Sequence, residues 1–370
     1  MTQLAKTVTV APADRAFEIL DRHRAAVLAW YRTVTDELGH VRLCAEGDLL
    51  SPSKTSGLGW AALGLKLCHM LDLFPDLPDG YRENLALRIK GFQQTRGKDQ
   101  GWFTDKALLE AVDRWRYRIL RDRNMPVRVA ESRQAMTALL SVDEMPDRPL
   151  PMPADTTSGI DAHVRNLPWA KNPWGAGSHW SHLMVFLAIR TVQQAVPPMS
   201  DPLIDHGFRA IEPFFSEETG SWHEGVPSSS QVLNAAMKVY TAHDFIGRPP
   251  PSPERMIDYL LNAVVAEGGC NHVDALYVAE TALRHTDHRR EELEHFAAEA
   301  VLCAEDYRQP DGGMSFHLDR TQTGYYGMAV SRGLPGIADL HGTKLLTWSL
   351  VLAAGILGRR DALGWRLPIA

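Results

Sequence analysis

The sequence contains no hydrophobic stretch long enough to cross a membrane. Its longest apolar run, from Leu345 to Gly358, has 14 residues, whereas a helix needs about 20 residues to span the hydrocarbon core of a bilayer. The amino-terminal segment also lacks the apolar core and the small-residue cleavage site of a signal peptide. The sequence therefore predicts neither a membrane span nor export.

Cysteine is scarce, and basic residues are not in excess. Isolated cysteines without a CxxC pair are typical of reduced thiols, so we expect a cytoplasmic location. The chain has 39 Lys and Arg against 45 Asp and Glu, for a net charge of −6, which argues against nucleic-acid binding. We expect a small-molecule substrate as the partner, and the sequence leaves the oligomeric state open. The four cysteines are Cys44, Cys68, Cys270 and Cys303.

Strand-like alternation is also scarce, whereas apolar residues recur at helical spacing, as at Leu58, Ala61, Leu65 and Cys68. Short glycine-containing turns separate these segments at intervals of 42 to 48 residues, with one longer gap. That gap contains the Pro-rich stretch from Asp143 to Pro153, so we predict an insertion over residues 120–168 of a single domain spanning 1–370. The turns begin at Gly59, Gly101, Gly177, Gly220, Gly268 and Gly312.

A repeat of this length with two helices per unit is typical of helical repeat architectures. Six units can close into an (α/α)6 toroid, in which inner helices follow the turns and outer helices precede them. An open solenoid is the alternative. The segment Leu345 to Leu357 is apolar on all sides, which favours the ring because its inner helices are covered by an outer layer.

In a ring, the first residues of the inner helices surround one opening of the central cavity, where we expect the functional site. Each of these side chains has an alternative role in capping a helix or packing in the core. Their recurrence in successive repeats favours a shared site. The candidates are His179, His182, Trp222, His223, Glu224, His272, Asp274, Asp339 and His341.

Several short motifs carry a family resemblance over roughly residues 170–358. The segment EGGCNHVDALY, ending at Tyr277, and the segment DLHGTK, beginning at Asp339, resemble inner helices of the protein prenyltransferase β subunit. The segment QPDGGMSF, beginning at Gln309, is similar to the Q-x-D-G-x-W repeat of class II terpenoid cyclases, with Met314 in place of tryptophan.

The prenyltransferase resemblance matches Asp274 and His341 to two zinc ligands of that family. The cysteine ligand is replaced by Leu276. Zinc sites need three protein ligands or more, and only Cys270 or His272 offers a replacement from the preceding turn. We therefore predict no metal or other cofactor.

The cyclase resemblance implies acid-initiated cyclisation or isomerisation of an isoprenoid or similar apolar substrate, by a lyase or isomerase. Asp155 stands at the protonating position of a D-x-D-[DT]-T signature, with Pro153 in place of its first Asp. Asp274 is the better-placed acid, because burial in the cavity would raise its pKa. His341 and His182 are expected to orient it or accept a proton, and Trp180, Trp222 and Tyr277 to line the cavity.

Two other functions remain open. Tryptophans between Trp169 and Trp180 could stack on sugar rings. A cytoplasmic glycoside hydrolase, lyase or epimerase could then use paired carboxylates from Glu224, Asp274 and Asp339. A non-catalytic ring that binds a ligand or partner is the third possibility.

Seven arginines between Arg114 and Arg133 could bind a diphosphate. Interleaved acidic residues instead favour a solvated helix face.

Overall fold

The computed structural model describes residues 12–49, 57–97, 99–108, 125–194, 197–265 and 268–369. Twelve α-helices begin and end within these residues, and they are numbered here in chain order. They are α1 (Pro12–Val34), α2 (Leu58–Met70), α3 (Tyr81–Lys90), α4 (Met125–Leu140), α5 (Thr157–Arg165), α6 (Pro173–Gln193), α7 (Pro202–Ile211), α8 (Ser229–Ile246), α9 (Pro253–Asn262), α10 (Gly269–Leu283), α11 (Arg290–Glu305) and α12 (Leu340–Ile356).

The six even-numbered helices form a closed inner ring. Each packs against the next in order from α2 to α12, and α12 packs against α2. The odd-numbered helices form the outer layer, for example α11 against α1 and α12, and α9 against α10. The predicted (α/α)6 toroid is confirmed, and the open solenoid is wrong because the first and last inner helices are in contact.

The burial pattern explains which helices lie inside. Helix α12 is buried on nearly all sides, as expected of a helix enclosed by neighbours. Outer helix α7 instead buries one stripe, formed by Ile204, Phe208 and Ile211 at helical spacing. The Asp201 side chain caps α7 by accepting a hydrogen bond from the Leu203 amide.

Two of the predicted glycine turns are wrong, because Gly59 and Gly177 lie inside helices. Both glycines permit close packing instead of a turn. A Cβ on Gly177 would lie 3.1 Å from the Ala235 carbonyl oxygen of α8. A Cβ on Gly59 would lie 2.6 Å from the hydroxyl of Tyr325. By contrast, Gly220 has a positive φ of 69° and lies in a turn.

The predicted insertion over 120–168 is too long. Its described residues include the inner helix α4 and the outer helix α5, so most of this range belongs to the ring. The irregular part covers 141–156. The repeat count assigned these helices to an insertion because the inner helix α4 does not directly follow the Gly101 turn.

A second irregular connection, 306–339, was not predicted. It joins α11 to α12 and contains a hairpin of strands β3 (Gly324–Tyr325) and β4 (Met328–Ala329), in which Tyr325 pairs with Met328. An earlier hairpin of strands β1 (Phe215–Ser216) and β2 (Ser221–Trp222) precedes α8. The described part of the chain also contains three short 3-10 helices, at Phe74–Asp76, Pro198–Ser200 and Glu212–Phe214.

Candidate active site

The inner helices begin at the same end of the ring, which we call the mouth. The Trp174 amide, in the first turn of α6, lies 3.5 Å from Gln231 Oε1 in the first turn of α8. Asn234 of α8 has its side-chain amide oriented so that the nitrogen donates to Asp274 Oδ2 of α10 at 3.0 Å. The first turns of α6 and α8 and the second turns of α8 and α10 therefore lie side by side at the mouth.

A cleft of about 530 Å³ opens at the mouth where α2 and α4 meet. Both polar and aromatic side chains line it. Glu131 of α4 borders the cleft, although only 2% of the residue's surface is exposed to solvent. The lining includes Asp48, Trp60, Phe92, Asp105, Glu131 and Tyr325.

Glu131 is paired with a tyrosine from the other end of the chain. The Tyr325 hydroxyl donates a hydrogen bond of 2.7 Å to Glu131 Oε1. Burial raises the pKa of Glu131 to about 7, and the nearby Asp105 carboxylate acts in the same direction, whereas the tyrosine hydrogen bond opposes the shift. Burial also raises the pKa of Tyr325, and repulsion from the Glu131 carboxylate is the next largest cause of this increase. The pair thus holds a carboxyl group that changes protonation near neutral pH.

The β3–β4 hairpin positions Tyr325. Its turn contains Tyr326 and Gly327, both with positive φ. Two-residue hairpin turns need this backbone conformation to match the twist of the flanking strands. The Tyr325 ring packs on Trp60 with ring centres 4.8 Å apart. Because Gly59 has no side chain, the tyrosine hydroxyl can reach Glu131 across the end of α2.

The two aspartates in the cleft are held by other hydrogen bonds. Asp105 accepts from the backbone amides of Leu58 and Leu108, at 3.0 and 3.2 Å. Asp48 accepts from the indole nitrogen of Trp60. Asp105 therefore orders the start of α2, and Asp48 fixes the aromatic wall.

His341 connects the cleft to the ring interior, which is the space enclosed by the inner helices. Its ring lies edge-on to Tyr325 at 6.0 Å and stacks on Phe316 at 5.2 Å. Its Nδ1 lies 3.1 Å from Gln322 Oε1. Burial lowers the pKa of His341 to about 3, and Lys344 adds to the shift, so the ring is neutral at physiological pH.

Three lysines from different inner helices occupy the ring interior, and we call them the lysine cluster: Lys66 of α2, Lys238 of α8 and Lys344 of α12. Burial lowers the pKa of Lys66 well below its usual value, and repulsion by Lys344, Arg133 and Lys238 follows. Burial likewise lowers the pKa of Lys344 to about 7. Asp274 lies close to two of them, since the charges of Lys238 and Lys344 both act to lower the pKa of its carboxyl group.

Asp274 is 3% exposed. Burial raises its pKa to about 6, and the two lysines oppose the shift. His182 is buried on α6, with Nε2 3.5 Å from Ser178 Oγ, and burial lowers its pKa. His179 packs edge-on against it at 6.0 Å, and His272 packs against Tyr307 at 5.8 Å.

The aromatic residues predicted to line the cavity lie elsewhere. Trp180 is fully buried against outer helix α7, where its indole donates to the Gly207 carbonyl at 3.0 Å. Trp222 packs against Phe215 in the hairpin before α8. Tyr277 donates to Asp244 Oδ2 at 2.8 Å near the carboxyl end of α8. A position near a turn does not determine which way a side chain on the following element points.

The other predicted acids do not lie in the cleft. Asp155 is exposed before outer helix α5, whose cap is the next residue, Thr156. Glu224 is exposed, and the neighbouring His223 lies 3.0 Å from Thr219 Oγ1. Asp339 is buried but accepts from the amides of Gly342, Phe316 and Gln322, so it caps α12 and anchors the preceding connection.

The arginine-rich segment is not a simple solvated face. Arg133 is buried and donates to Ser181 Oγ at 2.5 Å and Thr241 Oγ1 at 2.8 Å. Arg128 pairs with Asp99 at 2.8 Å. The arginines of this segment from Arg114 to Arg123 lie outside the described residues, as does Glu267 of the prenyltransferase-like motif.

Sequence reasoning missed the main residues of the cleft and the lysine cluster. The signal for Lys66 and Lys344 was present, since each interrupts a strongly apolar helix. Among the described residues, no group of three or more His, Cys, Asp and Glu side chains is arranged to hold a metal ion. No helix in the described part of the chain has the length and apolar character of a membrane span.

No protein-family model and no curated protein matches the sequence. Among solved structures, a chain described as a polysaccharide lyase matches with a TM-score of 0.42 and 11% identity, covering 94% of this chain and 98% of that one. The identity and the TM-score are too low for this likeness to bear on activity or substrate.

Proposed function

We propose that this protein is a carbohydrate-active enzyme that uses Glu131 and Tyr325 for acid–base chemistry in the cleft at the mouth of the ring. The observation that carries the proposal is the buried Glu131 carboxyl, bonded to the Tyr325 hydroxyl at 2.7 Å and bordering the cleft. A general acid or base works best with a pKa near the operating pH, and burial brings Glu131 to about 7.

The lining of the cleft favours a saccharide over an isoprenoid. Thr104 and Asp48 supply polar groups, and the packed rings of Trp60 and Tyr325 supply an aromatic wall. Binding sites commonly combine such a wall with a few polar groups that orient the ligand. In the interior, the lysine cluster would repel a carbocation, which an isoprenoid cyclase must stabilise with aromatic faces.

The chemistry fits elimination or epimerisation better than hydrolysis. Glycoside hydrolysis generally uses a pair of carboxylates on either side of the bond. Here Asp105 and Asp48 hold the backbone and the indole, whereas burial raises the pKa of Glu131 to about 7. In an elimination, the Glu131 carboxylate would take a proton from a sugar carbon, the bond from the neighbouring carbon to the leaving oxygen would break as the double bond forms, and the Tyr325 hydroxyl would protonate that oxygen. In an epimerisation, one of the two groups would take the proton and the other would return a proton to the opposite face of the same carbon.

The test is incubation of the purified protein with neutral and acidic polysaccharides and, separately, with prenyl diphosphates. We expect unsaturated or epimerised sugars, detected by ultraviolet absorbance and mass spectrometry, and no isoprenoid product. Glu131→Gln should abolish the activity, while Glu18→Gln, a change on the exposed side of α1, should not. Products from prenyl diphosphates, or full activity of Glu131→Gln, would refute the proposal. The absence of any product would favour the non-catalytic ring.

A further inference from the structure

The lysine cluster concentrates positive charge in the interior of a protein whose net charge is −6. Lys66 and Lys344 are 2% and 3% exposed. Each belongs to a different inner helix, and these helices are brought together when the ring closes. Burying ammonium groups costs several kcal/mol per ion unless charged or polar partners compensate.

Neutral groups hold the two buried ammonium groups. Lys66 Nζ donates to Thr137 Oγ1 at 2.6 Å and to Gln134 Oε1 at 3.0 Å, both on α4. Lys344 Nζ lies 4.0 Å from the centre of the Trp348 ring. Within the described residues, no carboxylate oxygen lies within 4.0 Å of an amino group of the cluster, whereas the peripheral Lys90 pairs with Glu144 at 2.6 Å.

One carboxylate is insufficient to balance the cluster. Asp274 interacts electrostatically with Lys238 and Lys344. It also accepts a hydrogen bond from Asn234. The three lysines thus repel one another when protonated, and among the described residues Asp274 is the carboxylate that attracts Lys238 and Lys344. An oxyanion next to the lysines would add attraction and favour their protonated forms.

One member of the cluster is partly exposed to solvent. Lys238 is half-buried, as are Asn234 and Cys270 on the facing turns of α8 and α10. On α12, His341 lies one turn before Lys344 and contacts Tyr325 in the cleft. His341 therefore lies between Tyr325, which borders the cleft, and Lys344 of the cluster.

We propose that the lysine cluster is an oxyanion-binding site that receives a carboxylate, sulfate or phosphate group carried by the saccharide. The inference rests on the proposed function for the identity of the carrier. The oxyanion site itself stands on the placement of the three lysines. It makes the preferred substrate an anionic saccharide, held at its charged group by the lysines while Glu131 and Tyr325 act at the cleft.

Calorimetry with the whole protein at low ionic strength tests the site directly. The probes are inorganic phosphate, inorganic sulfate, an oligogalacturonate, a sulfated oligosaccharide and a neutral cello-oligosaccharide. We expect the inorganic anions and at least one charged oligosaccharide to bind, and the neutral one to bind at least tenfold more weakly. Higher salt should weaken binding. No binding of any anion by the wild-type protein would overturn the inference.

Variants separate a binding role from a structural one. Lys238→Met and Lys344→Met should weaken phosphate binding at least tenfold, Lys238→Arg should restore most of it, and Lys171→Met, an exposed control, should stay within twofold of the wild type. Without anion, Lys344→Met should raise the melting temperature, because it removes a buried charge. Unchanged affinity in both methionine variants would refute the site.

The results distinguish this inference from the proposed function. Inorganic anion binding without turnover of any saccharide keeps the site and removes the proposed function. Turnover of neutral saccharides, with no anion binding, keeps the proposed function and removes the site.

Discussion

On the two sides of the mouth, burial shifts pKa values in opposite directions. On the side of α2 and α4, burial favours the neutral acid form of Glu131 and raises its pKa to about 7. On the side of α8, α10 and α12, burial favours the neutral amine of Lys344 and lowers its pKa to about 7. One physical cause, loss of hydration, thus brings groups of opposite charge to the same range.

The difference between the sides lies in their neighbours. Glu131 faces a hydroxyl donor and a second carboxylate, whereas Lys344 faces other cations and an aromatic ring. The first arrangement suits proton exchange, and the second suits attraction of an anion. Changes to each side should therefore affect different measurements.

The largest effect is expected from Glu131→Gln. It removes the group that we propose for proton exchange, so kcat/KM should fall by about 10³-fold or more. The pH profile should also lose its limb near pH 7. Kinetics across pH 5 to 9 measure both effects.

Folding is not expected to limit that variant. The pKa of Glu131 in the folded protein is above its ordinary value of 4.5. The folded state therefore binds the proton more tightly than the unfolded state does. This proton contributes fully to the free energy of unfolding below about pH 4.5, and its contribution is lost as the pH rises to about 7. Glu131→Gln should be at least as stable as the wild type at pH 8 in urea unfolding. A retained pH 7 limb would contradict the assignment.

Tyr325→Phe is expected to have the next largest effect, a loss of about 10²-fold in kcat/KM. It removes a hydrogen bond that lowers the pKa of Glu131, so the limb near pH 7 should move to higher pH. An unchanged limb would show that the tyrosine does not act on Glu131. Tyr259→Phe on outer helix α9 is the control.

Lys344→Met should act on stability. The pKa of Lys344 in the folded protein is below its ordinary value of 10.5, so the buried charge destabilises the fold most at and below pH 7, and the effect fades as the pH approaches 10.5. Removing it should stabilise the protein by about 2 kcal/mol at pH 6 and less at pH 9. Urea unfolding at the two pH values, with Lys171→Met as control, measures this. Lower stability at pH 6 would show that the ammonium is already compensated.

Gly59→Ala should have the smallest effect. Its new Cβ would lie 2.6 Å from the Tyr325 hydroxyl, so the tyrosine must shift away from Glu131. We expect about a tenfold loss in kcat/KM, equivalent to about 1.4 kcal/mol, with little loss of stability. Gly324→Ala is a matched control, since its Cβ would meet only ordinary contact at 3.7 Å. Equal effects of the two changes would contradict a specific role for the close approach.

The sequence predicted the ring because its signals are local. Apolar periodicity and glycine spacing report on helices and their lengths, and the closed ring follows from their number. Asp274 and His182 lie buried on inner helices, and the roles expected of them stay predictions.

The cleft was missed because its members are distant in sequence. Glu131 lies between Arg128 and Arg133, which made its surroundings look solvated, and Tyr325 lies in an irregular connection. Trp180 faces outer helix α7 because the rotation of a helix about its axis is fixed by tertiary packing, and Trp222 lies in the hairpin before α8. Asp155 resembled part of a motif, but its exposed position suits the start of an outer helix.

The hydrogen bond between Tyr325 and Glu131 joins residues 194 positions apart. During synthesis, α4 is therefore complete long before its partner leaves the ribosome. The hairpin that carries Tyr325 comes just before α12, the helix that closes the ring against α2. Under the proposed function, the growing chain has no working site until its final repeat is in place, so the appearance of activity during refolding would time the completion of the ring.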